Sequence, residues 1–405
     1  MKIAWLSSWP PRHCGIATYS AELVDALRHE GSEVHIICHP DGGASGEKNV
    51  YPIIDTTHHG WDGAVYDVVK TLQPDVVHIQ HEFGLYNTSG DNASGLFRPL
   101  FRWKTEGKVS VVLTYHSVYA ELNYIISSYM DVMQQLADAG IVHAVYQWAY
   151  LHTNLGRIVD NVFVIPHGAS IRAPLPKAGA KEALGLKGKK VLGMLGWFTP
   201  TKGFHHVLSM WDNLSKQLGP DTVLLLAGDA RTGDPNQIEY KNRLLDLAEN
   251  SAAKQNIKMV LGSFTPLEYE RILAAFDAMV MPYTFASQSG NLAHSFSLGV
   301  PVVVSGLEGL KAEVEASGAG IAVPPGNNTD LKRAIMNIMG DDDLRNEYSE
   351  RALNYVRTAI GWNITAQKHL RLYEKVIRDK HSTPSNLRSR ALLEPETTAP
   401  GGMRA

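Results

Sequence analysis

The feature that most constrains this chain is an alternation. Short runs rich in β-branched residues recur between helical patterns at Ile3 to Leu6, Val34 to Cys38, Val76 to Ile79, Val109 to Thr114 and Val162 to Ile165. A second set follows at Val191 to Leu195, Thr222 to Ala227, Ile257 to Leu261, Ala278 to Met281, Pro301 to Val304 and Ile321 to Val323. The runs are apolar on both faces, as strands are when helices cover both sides of a sheet, and strands alternating with helices indicate parallel pairing. An α/β chain with two such sheets in tandem is predicted, and ligands of such sheets bind at the carboxyl ends of the strands. Two tandem sheets are expected to face each other across a cleft, the default active site.

The predicted domains are 1–168 and 189–361. Between them, 169–188 reads as a linker, because it holds Pro174, Pro176 and several Gly and Lys residues without a strong apolar period. A helix is predicted over Ile364 to Ile377, with Ala366, Leu370, Tyr373 and Val376 on one face, and at about 362–378 it is assigned to pack back on the first domain. Residues 381–405 carry Pro, Ser, Thr and Gly with little periodicity and read as a disordered tail.

Composition narrows the function classes. With 44% hydrophobic and 20% charged residues, the chain is neither disordered, collagen-like nor a coiled coil as a whole. A net charge of −3 argues against a dedicated nucleic-acid binder. Only Cys14 and Cys38 are present, so no disulfide framework is expected. No apolar run is long enough to span a bilayer, and the N-terminal run is too short for a signal-peptide core. A cytoplasmic protein is expected, with peripheral membrane contact left open.

Several stretches at strand ends could carry chemistry. Ser7 to Ser20 passes from the first strand into a helix beginning near Gly15, where a side-chain-free turn lets a ligand approach free N–H groups. Leu195 to Phe204 places Lys202 where its ammonium could pair with a departing phosphate. The run Ser287-Gln-Ser-Gly is suited to open a helix, so Ser289, Gly290 and Asn291 could present donors to a pyrophosphate, although a plain N-cap looks much the same. His116 falls just past a strand and could reach the cleft, but a lone histidine is more often structural. The 17 histidines do not form metal-ligand spacing: His78 and His81 should point to opposite faces of one strand, and His58-His59 and His205-His206 lack partners. Phe97 to Lys108 mixes Arg98, Arg102, Lys104 and Lys108 with aromatics; a lipid-facing helix is conceivable, a core-facing one preferred.

Taken in order, these stretches resemble the retaining glycosyltransferases of family 4, which have the GT-B architecture of two Rossmann-like domains. The resemblance runs from Lys2 to about Tyr373, on Pro11 to Gly15, Thr114-Tyr-His, Val164-Ile-Pro-His-Gly, Gly196 to Phe204, Leu226-Ala-Gly, Leu261-Gly-Ser-Phe and Leu298-Gly-Val-Pro-Val-Val. It implies transfer of a hexose from a nucleotide-diphosphate sugar, held by the C-terminal domain, to a carbohydrate, glycolipid or small-molecule acceptor held by the N-terminal domain. No metal and no cofactor are implied. His116 and Lys202 would be the catalytic pair. Gly15, Gly196, Trp197, Lys202, Gln288, Ser289, Gly290, Asn291, His294 and Glu313 would contact the donor, and His81 and Glu82 the acceptor.

The chain departs from the family pattern at three positions. Trp197 stands where an arginine is usual, and the two usual glutamates are replaced by Ala286 and His294. Alanine accepts no hydrogen bond and a neutral imidazole only one, so donor recognition must differ or activity is lost. A GT-B phosphorylase or epimerase, and a non-catalytic nucleotide-sugar-binding protein, are the alternatives.

Overall fold

The computed structural model describes residues 1–12, 14–44, 46–86, 95–171, 175–285 and 289–382. The chain divides into two compact units, one of 1–165 together with the chain from Thr365 onward, the other of Pro166–Ile364. The first unit holds β1 (Lys2–Leu6), β2 (Glu33–Cys38), β3 (Val50–Pro52), β4 (Val76–His81), β5 (Ser110–Tyr115), β6 (Ala139–Val142) and β7 (Val162–Val164). The second holds β8 (Lys190–Leu195), β9 (Thr222–Gly228), β10 (Ile257–Leu261), β11 (Ala278–Met281), β12 (Val302–Ser305) and β13 (Gly320–Val323).

The sheet orders are β3-β2-β1-β4-β5-β6-β7 and β10-β9-β8-β11-β12-β13, with every pairing parallel. In each unit the chain winds outward from a central strand, then crosses back to continue on its other side. The reversals fall between β1 and β4 and between β8 and β11, and ligands of open parallel sheets bind at the carboxyl ends of the strands beside such a reversal.

The central strands are closed on both faces. Strands β5 and β9 are buried over their whole length. Helix Gly15–His29 buries Tyr19, Leu23 and Leu27 at successive spacings of four, and helix Phe204–Leu218 buries Phe204, Val207, Trp211 and Leu214. Each such side chain contributes about 1.5–3 kcal/mol when taken fully out of water.

Strands β3 and β6 are absent from the predicted set. The first is a three-residue edge strand ending in Pro52, and the second, Ala139-Gly-Ile-Val, is short and follows helix Tyr124–Leu136 after only two residues. Neither is long enough for its periodicity to stand out. The stretch read as a linker contains the helix Lys177–Ala183. A small apolar contact of Ala180 with Ala274 and Ala275 and a charge pair hold it: Lys181 Nζ lies 2.6 Å from Asp277 Oδ2, and Asp277 also accepts the Val191 N–H at 2.7 Å. Ala169 bridges to Gly361 within the same unit. The last helix spans Trp362–Ser382, so it runs two residues into the predicted tail, whose remainder lies outside the described residues. It returns to the first unit, with His369 and Tyr373 fully buried and Lys380 Nζ 2.8 Å from Asp138 Oδ2.

The basic segment at Phe97 faces the core. Its helix, Phe97–Glu106, buries Pro99, Leu100 and Trp103, while the Arg102 guanidinium lies 3.3 Å from the centroid of the Tyr66 ring. Among the described residues no helix is long and apolar enough to cross a membrane.

Candidate active site

In the second unit, three turns gather at the carboxyl ends of β8, β9 and β11. The turn after β8 closes as a single 3-10 turn, Pro200–Lys202, and ends at Gly203. Gly203 has φ +66°, and a Cβ there would stand 2.0 Å from the Pro282 carbonyl oxygen, so only glycine lets this turn close on the one after β11. Thr284 N–H donates to the Thr201 carbonyl at 2.9 Å across the same junction. A similar approach joins the turns after β8 and β9: at Gly228 (φ +148°) a Cβ would fall 1.9 Å from the Gly196 carbonyl oxygen. Backbone contact of this kind fixes the turns without spending side chains, which remain available to a ligand.

Lys202 extends along the face of Tyr283, its Nζ 3.8 Å from the ring centroid. No carboxylate among the described residues lies within ion-pair distance of it. The turn after β11 leads into helix Gly290–Ser297, whose N-cap Ser289 makes no side-chain cap bond and whose first turn holds no acidic residue. Its leading N–H groups therefore lack side-chain partners from the cap, and the helix dipole favours an anion there. Ser289 also lines a small pocket with His167, Leu292, Ala293, Phe296, Glu313 and Ile360. Glu313 accepts a hydrogen bond from the Tyr355 hydroxyl at 2.9 Å, and burial pushes its carboxyl above the usual range. His167 belongs to the landmark run Val164 to Gly168, and its place three residues past β7 is the sequence signal that marks it.

The Asn291 side chain has a structural role, while its backbone N–H stands in the first turn of the helix, where the sequence places a donor. Its Nδ2 donates to the Leu195 carbonyl at 2.6 Å and its Oδ1 accepts from the Tyr269 hydroxyl at 2.8 Å. The amide pins helix Gly290–Ser297 to the end of β8, and both of its ends are committed to protein. His294 packs edge-on against Tyr269, ring centroids 5.4 Å apart. Trp197 carries the Arg231 guanidinium over its ring at 5.4 Å. Gln288 and Ala286 lie outside the described residues.

In the first unit, His116 follows β5 directly, and its backbone N–H donates to the His81 carbonyl at 3.1 Å. Its Nε2–H donates to Gln80 Oε1 at 2.8 Å, and the Gln80 amide in turn donates to His78 Nε2 at 3.1 Å. His78, fully buried, gives its Nδ1–H to the Tyr373 hydroxyl of the last helix. Burial together with neighbouring His369 and His143 holds His78 well below the usual imidazole range, so it stays neutral and can pass on this orientation. The Tyr19 ring meets His116 edge-on at 4.9 Å, tying His116 to the helix that begins at Gly15. At Gly15 a Cβ would meet nothing within 4 Å, and the N-cap Cys14 makes no side-chain cap bond. The fold does not require glycine there; an approaching ligand would.

His81 does not reach a surface. It is completely buried among Phe83, Tyr86, Tyr115 and Tyr129, and accepts or gives one hydrogen bond at Tyr129 Oη, 3.1 Å away. Burial lowers its pKa to about 4. The expectation of an acceptor contact is corrected to a neutral core histidine on the face opposite His78. Glu82, one residue on, is half-buried, accepts from the Ser117 hydroxyl, and is pushed upward by burial.

Comparison with known proteins bears on the family and the fold. The family model described as glycosyl transferases group 1 matches residues 178–355, and that described as glycosyltransferase family 4 matches residues 14–172. D-inositol 3-phosphate glycosyltransferase of Corynebacterium urealyticum is 26% identical over 248 residues, 59% of this chain and 57% of that protein. The chain thus spans about half the length of the curated relatives it matches. Among solved structures, sucrose-phosphate synthase from Thermosynechococcus elongatus superposes with a TM-score of 0.73 at 18% identity, covering 94% of this chain and 100% of that one. The Anabaena protein HepE, solved in complex with UDP, superposes with a TM-score of 0.72 at 17% identity, covering 93% and 100%. With both halves matched and two Rossmann-like parallel-sheet units in place, the chain belongs to the family 4 type of glycosyltransferase and has the GT-B fold.

Proposed function

We propose that this protein transfers a hexose from a nucleotide-diphosphate sugar to an acceptor hydroxyl, with retention of anomeric configuration and without a metal ion. The observation that carries the reading is Lys202, an ammonium held on the Tyr283 ring with no carboxylate partner among the described residues, beside an uncapped helix start at Ser289. As the glycosidic bond breaks, negative charge grows on the leaving diphosphate. A fixed cation and a set of N–H groups stabilise that charge more than they stabilise the ground state, which lowers the barrier. Glu313 and His294 are assigned to donor hydroxyls, and Gly15 with His116 to the donor's sugar end. Glu82 is assigned to the acceptor, a carbohydrate, a glycolipid or a small molecule. The solved UDP complex of the structural relative supports a nucleotide diphosphate as the first ligand to try.

The test is a panel of UDP-, GDP-, ADP- and TDP-sugars with acceptor sugars and lipid-linked sugars, in chelator, read as release of nucleotide diphosphate. Turnover with one nucleotide class is expected, reduced at least about a hundredfold by Lys202→Ala, in line with loss of one preorganised charge contact. The anomeric configuration of the product, read by NMR, tests retention. Nucleotide binding without turnover on any acceptor, and with no effect of chelator, would move the reading to a binding protein that lost catalysis with Ala286 and His294.

A further inference from the structure

A second cation stands at the carboxyl edge of the same sheet with nothing acidic among the described residues set against it. Arg231 lies in the turn after β9, exposed to solvent, its guanidinium carbon 5.4 Å from the centroid of the Trp197 ring in the turn after β8. The backbone around it is fixed. Arg231 N–H donates to Gln237 Oε1 at 3.0 Å, and Phe198 N–H donates to the Asp229 carbonyl at 2.9 Å, joining the two turns.

The carboxylates nearest in sequence are both engaged elsewhere. Asp229 Oδ1 lies 2.6 Å from Lys241 Nζ, and Asp234 caps its own helix through the Gln237 N–H at 3.2 Å and the Gln237 side-chain amide at 2.8 Å. Among the described residues Arg231 forms no ion pair. Lys202 repeats the arrangement on the neighbouring turn, over Tyr283. Strands β8 and β9 are adjacent, so the two turns carry two uncompensated cations, each laid on an aromatic face, at one end of one sheet. An aromatic face holds a cation in place without neutralising it, and so leaves its charge available to an anion.

We propose that Arg231 is a second phosphate-binding residue of the donor site: Lys202 and Arg231 bind the nucleotide diphosphate together, and Trp197 is the platform that holds the guanidinium ready. The proposal rests on the donor-site reading given above. A guanidinium suits this task, since its planar fork can give two parallel hydrogen bonds to a phosphate. It also gives Trp197 a purpose. The charge that residue 197 itself does not carry is delivered over its ring from the next strand's turn.

The experiment is calorimetric titration of UDP, GDP, ADP and TDP, and of the matching nucleosides, into wild type, Arg231→Gln, Arg231→Lys and the double variant W197R/R231Q. For the class that binds, Arg231→Gln is expected to weaken the diphosphate at least tenfold and the nucleoside less than twofold. Arg231→Lys should recover part of the loss, and Trp197→Arg in the Arg231→Gln background most of it, because residue 197 lies beneath the missing group. If wild type binds the diphosphate and Arg231→Gln binds it equally tightly, the proposal is overturned while the donor-site reading stands. Equal weakening of diphosphate and nucleoside also overturns it, since the residue then acts on the base or on folding. Failure of wild type to bind any diphosphate overturns both.

Discussion

Replacing Asn291 by alanine tests its side chain as a structural staple, since the backbone N–H that the sequence offers to a phosphate is kept. In the structure the Asn291 amide spans from the Leu195 carbonyl at 2.6 Å to the Tyr269 hydroxyl at 2.8 Å. Alanine leaves both groups without that partner, and the Tyr269 hydroxyl is buried deeply enough that its pKa is driven upward. Leaving a buried polar group unsatisfied costs about 1–3 kcal/mol, so two of them give roughly 2–6 kcal/mol. For a unit the size of Pro166–Ile364, at about 2–4 °C per kcal/mol, that lowers its unfolding midpoint by roughly 4–24 °C. Scanning calorimetry that resolves the transition of this unit is the assay. A double-mutant cycle with Tyr269→Phe sharpens it, because removing the hydroxyl first should reduce the cost of Asn291→Ala by about 1 kcal/mol. A midpoint within about 2 °C of wild type, combined with lost diphosphate affinity, would refute the staple and return Asn291 to the donor site.

Three further outcomes can be checked with the same preparations. Gly203→Ala puts a Cβ 2.0 Å from the Pro282 oxygen at a left-handed φ and should destabilise by at least about 2 kcal/mol, while Gly15→Ala, facing open space, should leave stability within about 0.5 kcal/mol of wild type yet reduce turnover; equal melting points for the two variants would contradict the contrast. Gln80→Leu removes the acceptor of His116 Nε2–H and should lower kcat more than it raises KM, with Gln80→Glu shifting the pH profile by stabilising a charged His116; unchanged kinetics in both would show that His116 needs no such support. His81 and His369 are buried with pKa values lowered to about 4 from 6.5, so the stability they contribute is complete above pH 6.5 and lost as pH falls toward 4. By pH 5 each should have cost the first unit about 2 kcal/mol, read as a falling unfolding midpoint; a midpoint flat from pH 7 to 5 would contradict their buried neutral state.

The architecture was legible because it follows from repetition. Eleven apolar runs spaced by helical patterns leave little alternative to parallel sheets, and the ends of those runs already located Lys202, His116 and the glycine turns. What escaped was short or held by something other than apolar periodicity. Strand β3 is an edge of three residues, β6 has four, and helix Lys177–Ala183 buries only Ala180 and is tied down by the Lys181–Asp277 pair, a contact between residues 96 apart in sequence.

The sites divide in the same way. Sequence by itself determined which residues stand at strand ends, since that depends only on local pattern. Tertiary structure alone decided what those residues are free to do. His81 and Glu82 are neighbours in the chain, yet one is sealed among four aromatic rings while the other stays half-exposed. Asn291 and Lys202 both read as donors to a phosphate, yet the Asn291 side-chain amide is committed at both ends, which leaves its backbone N–H for that role, while the ammonium lies on a ring without a counter-charge among the described residues. Arg231 carried no motif, and only the pairing of β8 with β9 brings it over Trp197. Availability is a property of what surrounds a group in space, and neighbours in space are set by strand order, which residue spacing along the chain does not encode.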